Sequence, residues 1–150
     1  MTPVATRSRF LLAVLALSVL AAGCIVVPLP SSSAEYSVTL SGLEEVPPVT
    51  TKGGGTLTAS LHKTTNVLTW KLSYAGLTGP VTAAHFHGPA PAGQNAGVVV
   101  GLANPVISPS TGEATLTTEQ AADVLAGKWY LNVHTAKHPG GEIRGQLVAR

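Results

Sequence analysis

Residues 68–74 read Leu-Thr-Trp-Lys-Leu-Ser-Tyr, and this stretch decides the fold class. Apolar or aromatic side chains at Leu68, Trp70, Leu72 and Tyr74 alternate with polar ones. Because successive side chains of a β-strand point to opposite faces of the sheet, this alternation predicts a strand with one buried face. An α-helix would instead repeat its apolar residues every three or four positions.

Similar strands are predicted along most of the chain. They cover residues 36–40, 56–61, 81–87, 97–102, 112–117, 129–135 and 142–148, which makes about eight strands in all. The connections are too short for the helical crossovers that parallel neighbours require. The sequence therefore predicts an all-β fold, an antiparallel Greek-key β-sandwich of the immunoglobulin-like or superoxide-dismutase-like kind.

One short helix is predicted between the strands. Thr117-Thr118-Glu119-Gln120 has the spacing of a capping box, and good helix formers follow it. Gly127 can take the left-handed conformation that ends a helix. This helix is expected to close one end of the sandwich.

The N-terminal residues have the composition of an export leader. Residues 1–23 contain two arginines, an apolar run and Ala-Ala-Gly ahead of the only cysteine, Cys24. A basic region, an apolar run and small residues in this order predict a signal peptide. The alternative is a retained transmembrane helix, but the apolar run is shorter than the ~20 residues of a comfortable membrane span. Residues 24–34 are predicted to be an extended tether, and residues 35–150 the folded domain.

Cys24 is the predicted lipidation site. The segment Leu20-Ala21-Ala22-Gly23-Cys24 resembles a bacterial lipobox, in which cleavage before the cysteine leaves a diacylated N-terminus. A sole cysteine cannot form an intramolecular disulfide, and lipidation would remove a free thiol. Because Ile25 is not the aspartate that retains lipoproteins in the inner membrane, we expect an outer-membrane anchor, on the periplasmic or surface face, in a Gram-negative source. Ordinary cleavage after Ala34 is the alternative.

Charge and motif content exclude several function classes. Beyond residue 23, seven basic residues balance seven acidic ones, so nucleic acid is not an expected partner. The chain has no G-x-S-x-G, H-E-x-x-H or P-loop motif, which favours a binding module over an enzyme. The pair Glu44-Glu45, followed by Val-Pro-Pro, is interpreted as solvated.

Three histidines are placed to bind a metal ion. His85 and His87 lie in one predicted strand, so both imidazoles project from one face with Cα atoms about 6.6 Å apart. His134, at another strand end, adds a third ligand if the two strands are neighbours or face one another. His138 follows in a loop, and His62 is interpreted as a surface histidine. The alternative is that these histidines only form hydrogen bonds at loop ends.

The available donor atoms restrict the metal. With Cys24 at the anchor and Met1 removed, the domain has neither thiolate nor thioether, which excludes Cu(I), blue-copper and iron–sulfur sites. Two or three imidazoles suit Cu(II) or Zn(II), and copper has the higher intrinsic affinity. The expected cofactor is therefore Cu(II), with zinc as the alternative.

Several motifs occur in order along residues 35–148. They are Leu40-Ser41-Gly42, Glu45-Val46-Pro47-Pro48-Val49, Tyr74-Ala75-Gly76-Leu77, Ala84-His85-Phe86-His87-Gly88-Pro89-Ala90, Gly127 with Trp129-Tyr130-Leu131-Asn132-Val133-His134-Thr135, and Pro139-Gly140-Gly141-Glu142-Ile143-Arg144-Gly145-Gln146-Leu147. In this combination they resemble the CHRD (chordin-type) domain of bacterial exported proteins and of the animal protein chordin. His62 and His138 fall outside the pattern.

The resemblance implies a β-sandwich domain. In chordin these domains belong to a protein that binds growth factors, and some bacterial members resemble copper-responsive exported proteins. The H-x-H pair, the distant histidine and the glycine-rich last strand also look like the copper-site layout of copper/zinc superoxide dismutase. A fourth histidine and an active-site arginine loop are not identifiable, which puts dismutation in doubt.

Glu142 and Arg144 should share a face of the last strand, since they are two positions apart. They form either a surface ion pair, worth at most about 1 kcal/mol, or a support for the metal site in which Glu142 accepts the free ring N–H of His134.

Three functions remain, in this order. The first is a lipid-anchored extracytoplasmic module that buffers copper or confers tolerance, with His85, His87 and His134 as ligands. The second is a protein-interaction or matrix module with structural histidines. The third is a copper or zinc enzyme with an open coordination position.

Overall fold

The structure is a computed structural model that describes residues 31–149. Its strands are β1 (Ser33–Ser41), β2 (Gly54–His62), β3 (Val67–Ala75), β4 (Val81–His87), β5 (Val98–Gly101), β6 (Ser110–Thr115), β7 (Tyr130–Thr135) and β8 (Ile143–Gln146). A 3-10 turn, Gly42–Glu44, follows β1, and the helix α1 (Thr118–Leu125) lies between β6 and β7. The predicted all-β fold with one short helix is confirmed. The first strand begins at Ser33, two residues before the predicted domain boundary.

The strands form one continuous sheet that folds over on itself. Their order is β5-β4-β7-β8-β1-β2-β3-β6, and every pairing is antiparallel. The β1–β8 junction is narrow, because it pairs only Ser41 with Arg144 and adds one isolated bridge from Tyr36 to Ala149. One half-sheet is therefore β1-β2-β3-β6, and the other is β8-β7-β4-β5. The pairings β3–β6 and β4–β7 join strands that are distant in sequence, as in Greek-key arrangements.

The apolar faces of the two half-sheets pack together. Trp70 of β3 meets Phe86 of β4 edge to face, with ring centroids 5.1 Å apart. Along β1 every second residue is buried, as the alternation predicts. The helix adds Ala121 and Val124 to the same core, where the Val124 carbonyl accepts the Tyr36 hydroxyl at 3.4 Å. The capping box is also confirmed, because Thr117 and Gln120 exchange hydrogen bonds.

The outer face of the second half-sheet is polar and covered by loops. Asn95, in the loop after β4, donates to the Val46 carbonyl in the loop after β1 at 2.9 Å. Gln146 of β8 donates to the Ala90 carbonyl at 3.0 Å and to the Gly127 carbonyl at 2.8 Å. Polar side chains of β4, β7 and β8 are thus withdrawn from solvent, and the candidate site lies among them.

Candidate metal centre

His85 and His87 project from the outer face of β4. The residues beside them, Ala84 and Phe86, are buried in the sandwich core, so the alternation of the strand directs both imidazoles away from it. In the β4–β7 register Ala83 pairs with His134 and His85 pairs with Asn132. His134 is therefore a diagonal neighbour of His85 on the same face, at a separation that long side chains bridge.

The three imidazoles converge on one point. His85 Nδ1 lies 3.1 Å from His134 Nε2, and the ligand atoms of His85, His87 and His134 all lie within 4.8 Å of one another. Two nitrogens on one tetrahedral zinc ion, each at ~2.0–2.1 Å, lie about 3.3 Å apart, and adjacent nitrogens of a square-planar Cu(II) site lie about 2.9 Å apart. The His85–His134 pair, at 3.1 Å, falls between these two spacings, and the ligand atom of His87 lies within 4.8 Å of both. The structure brings the three histidines into one cluster, as the sequence predicted. Metal binding by this cluster stays a prediction.

Backbone carbonyls fix the tautomers of two of the rings. His87 Nδ1 lies 3.0 Å from the Ala96 carbonyl, and His134 Nδ1 lies 2.9 Å from the Pro139 carbonyl. Since a carbonyl only accepts, the neutral form of each ring carries its proton on Nδ1 and keeps the lone pair on Nε2. His87 Nε2 is buried and accepts no hydrogen bond of ordinary geometry from the described residues, although the Asn132 side chain lies close enough to act on the ring. A lone pair left without a partner in this way costs about 1–3 kcal/mol, which a bound cation would relieve.

The environment of the cluster favours neutral imidazoles. Burial lowers the pKa of His85 below its ordinary 6.5, and the charges of His134 and His87 lower it further. Burial also lowers the pKa of His87, against the opposing effects of its bond to the Ala96 carbonyl and of the Asn132 side chain. Because a metal binds the neutral ring, two of the three ligands are in the binding form at neutral pH.

Glu142 does not support His134, contrary to one of the two interpretations of its position. Its carboxylate is fully buried and faces threonines: Thr51 Oγ1 at 2.7 Å, Thr135 Oγ1 at 2.7 Å, and the Thr78 amide and hydroxyl at 2.8 and 3.0 Å. Burial raises the pKa of Glu142, but these donors outweigh it and the net shift is downward. The Pro139 carbonyl takes the place beside His134 that the sequence assigned to Glu142.

The other interpretation, a surface ion pair between Glu142 and Arg144, is also wrong. Arg144 is 1% exposed, and Glu142 is 0% exposed. The guanidinium carbon lies 3.4 Å from the ring centroid of Tyr130, whose ring stacks on His87 with an interplanar angle of 3°. Loops cover both charged side chains. The alternation of side chains along one strand predicts which residues share a face, but it does not reveal that a loop covers that face.

A family model of the CHRD domain matches residues 36–147 of the 150-residue chain. The chain belongs to the CHRD domain family. No curated protein and no solved structure matches it at a significant level. CHRD membership indicates an extracellular-type binding module. The three histidines and the Arg144 stack lie within the matched range of the CHRD domain.

Two further histidines of the CHRD domain lie apart from the centre. His62 Nδ1 accepts the Thr65 amide at 3.2 Å in the turn between β2 and β3. His138 lies in the loop after β7, where its backbone bonds to Thr135. Neither belongs to the three-histidine group in the described part of the CHRD domain.

Sequence reasoning missed Glu45, which it treated as solvated. Glu45 is 5% exposed, and burial raises its pKa to about 7 against the opposing charge of Arg144 and the amide of Asn132. It lines a cavity of about 240 Å³ between residues 45–49 and 137–141. A side chain at Gly141, whose φ is +126°, would overlap Glu45 and Asn132. The only sequence signal was the position of Glu45 in a matching motif.

The predicted signal peptide, residues 1–23, and the lipidation site Cys24 lie outside the described residues. Between residues 31 and 149, no helix has the length and apolarity needed to cross a membrane.

Proposed function

We propose that this CHRD domain is an extracytoplasmic metal-binding module that coordinates Cu(II), with Zn(II) as the alternative ion, through His85, His87 and His134. A metal-buffering or tolerance role follows, in which the protein sequesters copper outside the cytoplasm. Copper is placed first because imidazole sites bind Cu(II) more tightly than Zn(II).

The observation that carries the proposal is the buried, unpartnered Nε2 of His87 beside two other imidazoles. The carbonyls of Ala96 and Pro139 hold His87 and His134 with their Nε2 lone pairs turned away from the backbone, and the His87 lone pair has no partner among the described residues. Without a metal, His85 Nδ1 donates to His134 Nε2, and a shift of the His85 proton to its other nitrogen makes the lone pairs of both atoms available to an ion. Carbonyl acceptors behind metal-binding histidines are the usual support of such sites.

Titration of the purified full chain with Cu(II), followed by calorimetry and electron paramagnetic resonance, tests the proposal. The wild type should bind one equivalent with nitrogen ligands. His87→Ala should lower the affinity at least ten-fold, because even changes behind the ligands cost about 10–100-fold. His62→Ala is the matched control, since it removes an imidazole from the same domain without touching the centre. Equal binding by the wild type and by the His85→Ala/His87→Ala double variant would remove the metal proposal and place the protein-interaction module first.

We further propose that Cys24 carries the lipid anchor. The alternative cleavage after Ala34 would cut inside β1, where Ser33 pairs with His62 and the buried Ala34 pairs with Leu61. Cleavage before Cys24 leaves this pairing whole. Cys24→Ala should move the protein from the membrane to the soluble fraction, because two acyl chains provide stable anchoring. A mature N-terminus at Glu35 by mass spectrometry would contradict this.

A further inference from the structure

Arg144 is a buried cation without an ion-pair partner in the described residues. It is 1% exposed, and no carboxylate oxygen between residues 31 and 149 lies within 4.0 Å of its guanidinium. Burying an ion costs several kcal/mol unless other contacts offset the lost hydration. Its polar contacts are the Asn95 Oδ1 at 3.0 Å and the Gln94 carbonyl at 2.6 Å, both in the loop after β4.

The guanidinium, the Tyr130 ring and the His87 ring form a three-layer stack. Because β7 lies between β4 and β8, Arg144 and His87 approach Tyr130 from opposite sides. Arg144 Cζ is 3.4 Å from the Tyr130 centroid, and the Tyr130 and His87 centroids are 4.9 Å apart with nearly parallel planes. A planar guanidinium suits this contact, since it stacks on an aromatic face and donates sideways at the same time.

Ala96, in the loop after β4, contacts both Tyr130 and His87. The Tyr130 hydroxyl accepts the Ala96 amide at 3.1 Å and lies 3.3 Å from the Ala96 carbonyl. That carbonyl is the acceptor of His87 Nδ1–H. Arg144 holds Gln94 and Asn95, the two residues before Ala96, so it fixes both the face on which His87 stacks and the carbonyl that sets its tautomer.

We infer that Arg144 is the positioning residue of the metal centre. It holds the His87 ring so that the Nε2 lone pair faces the ion. The inference rests on the proposed function for its metal. It also makes a claim about the metal-free protein, namely that Arg144 determines the tautomer and orientation of His87.

The first test uses Arg144→Lys in the full chain, which keeps the charge and removes the planar fork. Cu(II) affinity should fall about 10–100-fold, and the copper hyperfine splitting should change, because the His87 ring is no longer held. Gln146→Leu is the matched control, because Gln146 lies on the same strand and binds the same loop at Ala90, but has no hydrogen bond to Gln94, Asn95 or Tyr130. It should retain the copper spectrum of the wild type.

The second test needs no metal. Nitrogen-detected NMR of the metal-free wild type should show His87 as the Nδ1–H tautomer, whereas Arg144→Lys should show a mixture. Asn95→Ala, a change at an exposed loop residue that does not threaten folding, should shift the tautomer ratio in the same direction by a smaller amount.

The outcomes separate the two proposals. If the wild type binds neither Cu(II) nor Zn(II) but Arg144→Lys mixes the tautomers, the proposed function fails and the positioning role stands. If the wild type binds copper and Arg144→Lys keeps its affinity, hyperfine splitting and His87 tautomer, the inference about Arg144 is overturned while the metal centre remains.

Discussion

Glu45 should make the protein less stable as the pH rises from 5 to 8, and Glu45→Gln should remove this loss. The side chain is 5% exposed, its Oε1 has no hydrogen-bond partner among the described residues, and burial raises its pKa from 4.5 to about 7. The positive charge of Arg144 and the amide of Asn132 oppose this rise without cancelling it. The folded protein therefore holds a proton that the unfolded chain releases.

The sign and the size of the effect follow from linkage. Because the folded pKa lies above the unfolded one, the stabilising contribution of protonated Glu45 is fully present below pH 4.5 and is lost as the pH rises through 7. One pKa unit corresponds to about 1.4 kcal/mol, so a rise from 4.5 to about 7 corresponds to about 3 kcal/mol. Roughly 2–3 kcal/mol of this falls between pH 5 and pH 8. Glutamine stays neutral, so the free energy of unfolding of Glu45→Gln should rise relative to that of the wild type by this amount between pH 5 and pH 8.

The assay is urea unfolding of the wild type and Glu45→Gln at several pH values from 5 to 8. The quantity to compare is the difference in the free energy of unfolding between the wild type and Glu45→Gln at each pH. This difference cancels the contribution of His85 and His87, whose titration changes the stability in the opposite direction over the same pH range. Their lowered pKa values add stability as the pH rises through 6.5. Glu44→Gln, at the exposed neighbouring position, is the matched control and should change the stability by no more than about 0.5 kcal/mol at any pH. A Glu45→Gln difference that is constant with pH, or that turns against glutamine at pH 8, would refute the reasoning.

Three further predictions concern the interior, the helix and the metal centre. Thr135→Val should lower the free energy of unfolding by about 1.5–3 kcal/mol in urea titrations, because it removes the 2.7 Å hydrogen bond to the buried Glu142 carboxylate and the acceptor of the His138 amide at 3.2 Å. Thr117→Ala should cost about 1 kcal/mol in thermal unfolding, since it removes the hydroxyl that caps α1. Cu(II) affinity in calorimetric titrations should hold as the pH falls to 6.5 and weaken below it, because the lowered pKa values of His85 and His87 delay competition by protons.

The two stability predictions each have a matched control. Thr39→Val makes the same chemical change as Thr135→Val at an exposed position of β1, and equal losses by the two variants would remove the special role of the bond to Glu142. Thr118→Ala changes the next threonine, which makes no capping bond, and a larger loss there than at Thr117 would contradict the capping argument. A copper affinity that falls tenfold between pH 8 and pH 6.5 would contradict the lowered histidine pKa values.

The sequence by itself determined the features that depend on backbone geometry over a few residues. The alternation in β3 and the spacing of Thr117 and Gln120 identified a strand and a capped helix, because strand pleating and helix capping act within a few positions. The common face of His85 and His87 follows for the same reason. The bounds of β4 agree with the predicted strand at both ends.

Only the tertiary structure decided the partners of these local features. His134 meets His85 because β4 and β7 pair across 49 residues of chain, and a register shifted by one residue would turn His134 to the other face. The burial of Glu45, Glu142 and Arg144 was also beyond the sequence, since charged side chains are mostly exposed and only packed loops make these three exceptions. Strand pairing and loop packing join residues that are distant along the chain, so no local pattern records them.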